Sequence, residues 1–178
     1  GCTCVLSPAD PATMYPDPAD VAARVTDRTR AVIVNSPNNP SGAVYPREVL
    51  EALAAVLNEA SERNARTIYL IADEPYREIA YAGVEVPWIP SIYANTIVCY
   101  SYSKSLSLPG ERIGYVLVPN TMPDHKEVYA AVCGAGRALG YVCAPSLIQK
   151  VVEKCCDLPS DVAAYAENRD ALYGALTE

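Results

Sequence analysis

Three short runs of consecutive apolar, largely β-branched residues punctuate the chain: "RAVIVN" (Arg30 to Asn35), "TIYLIAD" (Thr67 to Asp73) and "NTIVCYS" (Asn95 to Ser101). Runs this brief, apolar on successive positions, predict strands buried on both faces of a parallel sheet. Between the first two, "PREVLEALAAVLNEASERN" puts Leu50, Leu53, Ala54 and Leu57 at i, i+3, i+4 and i+7, behind a Pro46 suited to a first helical turn. That spacing predicts an amphipathic crossover helix. "RIGYVLVP" (Arg112 to Pro119) gives a fourth strand, and helical patterns follow near Lys126 to Leu139, Ser146 to Cys156 and Val162 to Leu176. Near the start, "DPATMYPDPAD" reads as turns leading into a short helix.

Strands alternating with helical segments in this order predict an α/β architecture with a mainly parallel sheet flanked by helices. Ligands of such sheets gather beyond the carboxyl ends of the strands. The polar clusters fall there: "NSPNNPSG" follows the first strand, "DEPY" ends the second and "SYSK" ends the third. The three loops are therefore expected to converge on one crevice. "GAGRALGYVCAPS" (Gly134 to Ser146) suits close helix packing or a pocket border, and Trp88 in "VPWIP" reads as a packed aromatic between prolines.

Composition narrows the function classes. A net charge of −7 argues against a nucleic-acid surface, which needs clustered Lys and Arg. No apolar run approaches the roughly 18 to 20 residues that span a bilayer, and no basic-then-apolar segment opens the chain. The expectation is a cytoplasmic protein without a membrane partner. Seven scattered cysteines without a paired CxxC, and a single histidine, His125, predict no metal site and thiols that stay reduced.

Taken singly, the polar clusters have ordinary readings. "NNPSG" is a tight turn, Asp73 a capping carboxylate, Tyr76 a rim aromatic, Lys104 a solvated loop lysine, and Arg112 a surface partner of Glu111 or Glu74. In combination, "NNPSG" at 38 to 42, "DEPY" at 73 to 76, "SYSK" at 101 to 104 and "RIG" at 112 to 114 resemble the large domain of class I/II aminotransferases. These are fold type I enzymes that use pyridoxal 5'-phosphate (PLP). The "SxSK" followed eight residues later by "RxG" is the most specific part of the likeness.

The resemblance implies that Lys104 carries the cofactor as a Schiff base, because only a primary amine forms an imine that a substrate amine can later displace. It implies that Asp73 faces the pyridine nitrogen and keeps it protonated by charge pairing. Tyr76 and Asn39 would hydrogen-bond the ring's phenolic oxygen. Ser101 and Arg112 would hold the phosphate, Arg through its planar two-pronged fork, with Ser103 a weaker candidate. The implied reaction moves an amino group from an amino acid to a 2-oxo acid, with the freed Lys104 as the base that shuttles the α-proton.

The resemblance also carries expectations about organisation. Residues 1–178 correspond to a partial PLP-binding large domain, with 161–178 starting a helix that leads toward a small domain. The family's aromatic that stacks on the ring and its carboxylate-binding arginine have no counterpart in the motifs here. Arg137 and Arg169 are read as solvated helix charges. The chain therefore reads as truncated at both ends, a piece of a larger homodimeric enzyme with little activity alone. Two other uses of the same residues stay open: a PLP-dependent lyase, and a non-catalytic PLP-binding module.

Overall fold

The computed structural model describes residues 1–81 and 83–177. A four-stranded sheet runs in the order β1 (Ala31–Asn35), β2 (Tyr69–Asp73), β3 (Thr96–Ser101), β4 (Gly114–Leu117). The first three strands pair in parallel, with Asn35 opposite Asp73 and Asp73 opposite Cys99. β4 is antiparallel to β3, so Gly114 lies opposite Ser101. Because β4 runs backwards, its first residues lie at the end of the sheet where the parallel strands finish. That reversal brings Arg112 to the end of β3, where it lines one concavity with Ser101 and Ser103.

Helix α1 (Pro18–Arg24) opens with Asp17, whose carboxylate accepts from the Ala19 amide at 2.8 Å, and with Pro18 at the first turn. Helix α2 (Arg47–Arg63) is the crossover between β1 and β2, and Pro46 sits one position earlier than expected, as its N-terminal flanking residue. Leu50, Leu53, Ala54, Leu57 and Ala60 turn inward and join Val34, Ile68, Leu70, Ala72 and Val98 in one core. Burying a leucine side chain in such a core contributes about 1.5–3 kcal/mol, so this stripe is a principal source of stability.

The expectation of strands buried on both faces is corrected. Burial alternates along β2 and β3, and Ile33 on β1 is 69% exposed. The physical reason is cover: residues of α2 close the core on one face, while on the other Ile33 stays exposed and Ile71 and Ile97 are only partly buried. The last three helices, α4 (His125–Ala138), α5 (Ser146–Cys155) and α6 (Val162–Thr177), contain no buried residue. A four-residue helix, α3 (Tyr102–Ser105), separates β3 from β4.

Candidate active site

The site is assembled from the ends of three parallel strands and the start of the antiparallel one. At the end of β1, Asn35 acts as a hub: its Nδ2 donates to the Asp73 carbonyl at 2.9 Å and to Asp73 Oδ2 at 3.2 Å. Its Oδ1 accepts the Asn39 amide at 2.8 Å, tying the following loop to the neighbouring strand. That loop turns through Asn38, whose Oδ1 accepts from the Ser41 hydroxyl at 2.7 Å, and through Gly42 at φ +73°. The Ser36–Pro37 and Asn39–Pro40 peptides are cis. Asn39 Nδ2 donates to the Tyr76 hydroxyl at 3.0 Å.

Asp73 ends β2 half-buried, and burial raises its carboxyl above the ordinary value. Among the described residues it has no cationic partner; Asn35 supplies its side-chain donor. The capping role considered for it is not what the bonds show. Glu74, next in the chain, faces the opposite way and is 1% exposed. It pairs with Arg77 at 3.2 Å, leaves Oε1 without a partner, and burial lifts it to about 7. Glu74 is therefore not a surface partner for Arg112. Arg77 also donates to the Val86 and Pro87 carbonyls and lies 5.2 Å over the Trp88 ring. Trp88 itself is 40% exposed, so the expected packed aromatic is instead a half-open platform under a cation.

At the end of β3, the Ser101 hydroxyl accepts the Ser103 amide at 3.1 Å and so starts α3, which carries Lys104. Lys104 thus sits on a helical turn, not in a solvated loop. Its Nζ lies 5.5 Å above the Tyr76 ring and makes no ion pair among the described residues. A polar concavity of about 170 Å³ opens beside it, lined by Ser101, Ser103, Arg112, Ile113 and Gly114. Arg112 adopts φ +52°, a strained conformation for a residue with a side chain, and its guanidinium donates to the Pro109 carbonyl at 2.8 Å. Gly114 explains the glycine of "RIG": a Cβ there would collide with the Tyr100 carbonyl oxygen and come within 3.1 Å of Ser101 Cα. Only glycine lets β4 approach closely enough to set Arg112 beside Ser101.

The structure therefore brings Asn39, Tyr76 and Lys104 into one group and Ser101, Ser103 and Arg112 into an adjoining one, with Asp73 at the intervening strand end. Arg169 is only partly a solvated charge, since it pairs with Asp170 at 2.6 Å and lies 4.3 Å over the Tyr81 ring. "GAGRALGYVCAPS" is largely exposed; the Tyr141 amide donates to the Gly136 carbonyl at 2.8 Å within its own turn, and Gln149 Nε2 of α5 donates to the Ala144 carbonyl at 2.6 Å. Asn35 and Gly114 are the positioning residues of the site whose individual roles sequence patterns do not expose. A polar residue closing an apolar strand was the signal for Asn35.

A lysine over a tyrosine ring at the carboxyl edge of a mainly parallel sheet, near a half-buried carboxylate and a concavity lined by serines and an arginine, is the arrangement these strand ends create. The chain belongs to the aminotransferase class I and II family, whose model matches residues 1–178. An aminotransferase of known structure from Eubacterium rectale is 58% identical, with a TM-score of 0.92 over 96% of this chain and 43% of that one. The valine–pyruvate aminotransferase of Mycobacterium tuberculosis is 32% identical over 99% of this chain and 44% of that enzyme. The aspartate/prephenate aminotransferase of Thermus thermophilus is 41% identical over 58% of this chain and 26% of that enzyme. The chain thus spans less than half the length of these relatives. No helix among the described residues is long and apolar enough to cross a membrane.

Proposed function

We propose that this chain supplies the PLP-binding part of an aminotransferase that moves an amino group between an amino acid and a 2-oxo acid, with Lys104 as the attachment and proton-transfer residue. The observation that carries this reading is the placement of Lys104 Nζ over the ring of Tyr76, whose hydroxyl already takes the Asn39 amide. The donor set fits PLP. Asp73 is a partly desolvated carboxylate with no cation beside it among the described residues, the partner a protonated ring nitrogen needs. The concavity lined by Ser101, Ser103 and Arg112 offers hydroxyl and guanidinium donors to a phosphate.

When bound, PLP supplies an electron sink that stabilises negative charge at the substrate α-carbon. The chain's residues supply the rest. Ser101 and Arg112 would anchor the phosphate, with Ser103 alongside; Tyr76 and Asn39 would hold the ring oxygen; Asp73 would keep the ring nitrogen charged. Lys104 Nζ would be the group that attaches the cofactor and, as a free amine, would take the α-proton and return it. The enzyme would act as a homodimer in the cytoplasm, on amino acid and 2-oxo acid substrates. The lyase and binding-module readings use the same residues but gain no further observation.

The test is amino-group exchange by the complete enzyme, with ammonia and 2-oxo acid release followed in parallel. Lys104→Ala is expected to lower exchange by at least the roughly 10²- to 10⁴-fold that a positioned acid–base group supplies. Near wild-type exchange in that variant would overturn the assignment, and ammonia release without exchange would replace it with a lyase.

A further inference from the structure

One hydrogen-bonded line near the site is not used by any role assigned above. Tyr100, on β3, is buried to 9% exposure, with its ring stacked on Tyr115 at 5.0 Å and edge-on to Tyr102 at 5.2 Å. That packing fixes where its hydroxyl points. The hydroxyl lies 2.7 Å from Glu78 Oε2 and 2.7 Å from Ser105 Oγ. A carboxylate only accepts, so the Tyr100 proton goes to Glu78 and the Ser105 hydroxyl donates to Tyr100. Burial first, reinforced by the Glu78 carboxylate, pushes the Tyr100 phenol well above its ordinary value, which keeps it a donor toward Glu78.

The ends of this line matter for Lys104. Glu78 lies two residues beyond Tyr76, and Ser105 follows Lys104 directly on α3. We propose that Glu78, Tyr100 and Ser105 form a positioning relay that locks the Lys104 turn against the Tyr76 segment, holding Lys104 Nζ over the Tyr76 ring. The proposal rests on the reading of Lys104 given above for its functional meaning. Its geometry is local: α3 has only four residues, and a turn that short is weakly held by its own hydrogen bonds. Ser160 Oγ donates to the Ser105 carbonyl at 3.0 Å and holds the same turn from outside. The relay holds it from within, joining β3 and the adjoining α3 to the Tyr76 segment, with Glu78 lying 22 residues before Tyr100.

The relay is read from the reactivity of Lys104 itself. The chain and its variants are pulsed with an amine-acylating ester, and labelling of Lys104 is measured by peptide mass spectrometry relative to exposed Lys126. Tyr100→Phe keeps the ring and loses the hydroxyl. Together with Ser105→Ala and Glu78→Leu, it should raise the Lys104 to Lys126 ratio by about three- to tenfold, the factor that losing one or two net hydrogen bonds supplies. Glu78→Gln, which keeps an acceptor oxygen, should stay near wild type. A purely structural contribution would change melting without moving the ratio.

Ratios within about twofold of wild type in both Tyr100→Phe and Ser105→Ala, less than one hydrogen bond is worth, would overturn the relay. If Tyr100→Phe does not melt cooperatively, Ser105→Ala and Glu78→Leu decide the matter. A parallel wild-type sample treated with pyridoxal phosphate and borohydride separates the two readings. Absence of a trapped adduct on Lys104 there would sink the cofactor assignment while leaving the labelling result to judge the relay.

Discussion

Helices α2 and α5 are written in the same apolar-polar code and end in opposite environments. In α2 the stripe through Leu50, Leu53, Ala54 and Leu57 is covered by the sheet, with Leu53 and Leu57 at 0% exposure. In α5 Leu147 and Val151 recur at helical spacing yet are 73% and 37% exposed. Periodicity therefore specifies a face that gains from cover, while the cover itself comes from elsewhere. Among the described residues that cover comes from the sheet, α2 and the segments packed on them, such as Val21, Tyr45, Ile89 and Tyr93, and the site lies at that layer's edge. Stability and site geometry should be coupled there and nearly independent of α4 to α6.

The sharpest way to break the comparison is a matched pair of truncations. Leu53→Ala should cost about 2–5 kcal/mol, the range for emptying a packed leucine site. Leu147→Ala should stay within about 0.5 kcal/mol, as exposed positions do. Denaturant melts check both, and equal losses would erase the distinction between the two regions.

A second test uses the buried carboxylate. Glu74 has its folded value raised from 4.5 to about 7 by burial, against the opposing pull of Arg77. The fold thus favours the neutral acid. Its contribution is complete below pH 4.5 and is lost as pH rises through about 7, by on the order of 1–3 kcal/mol. Glu74→Gln should flatten that part of the stability profile relative to wild type. Fluorescence of Trp88, the chain's sole tryptophan, reports on the same cluster through Arg77. An unchanged slope between pH 4.5 and 7 would refute the assignment.

Smaller effects follow at the edges. Gly114→Ala forces backbone apart between β3 and β4 and should cost about 1–3 kcal/mol, as overpacking does. It should also loosen Arg112, seen as weaker protection from arginine-directed labelling. Arg169→Ala removes the cation over Tyr81 and should cost no more than about 1 kcal/mol in thermal melts. A larger loss would mean that α6 matters to the layer after all.

Much of this was legible in the sequence because it depends on local spacing. The strand runs and the α2 stripe fell within a residue or two of the observed elements, and the polar strand ends did converge. What was not legible depends on through-space cover and charge. Glu74 looks like any strand-end acid until the fold buries it against Arg77. The second sheet face looks buried because Ile33, Ile71 and Ile97 are apolar, but apolarity records a preference and not a neighbour. The Glu78–Tyr100–Ser105 line joins positions 22 and 5 residues apart, a juxtaposition with no sequence period.

The central claim is that Lys104, held over Tyr76, is the amine that takes the cofactor. Incubating the chain with pyridoxal phosphate, reducing with borohydride and mapping the modified peptides tests it directly. The account predicts modification concentrated on Lys104, ahead of Lys126, Lys150 and Lys154, and suppressed by Arg112→Ala. Modification spread evenly over the four lysines, or absent from Lys104, would contradict it.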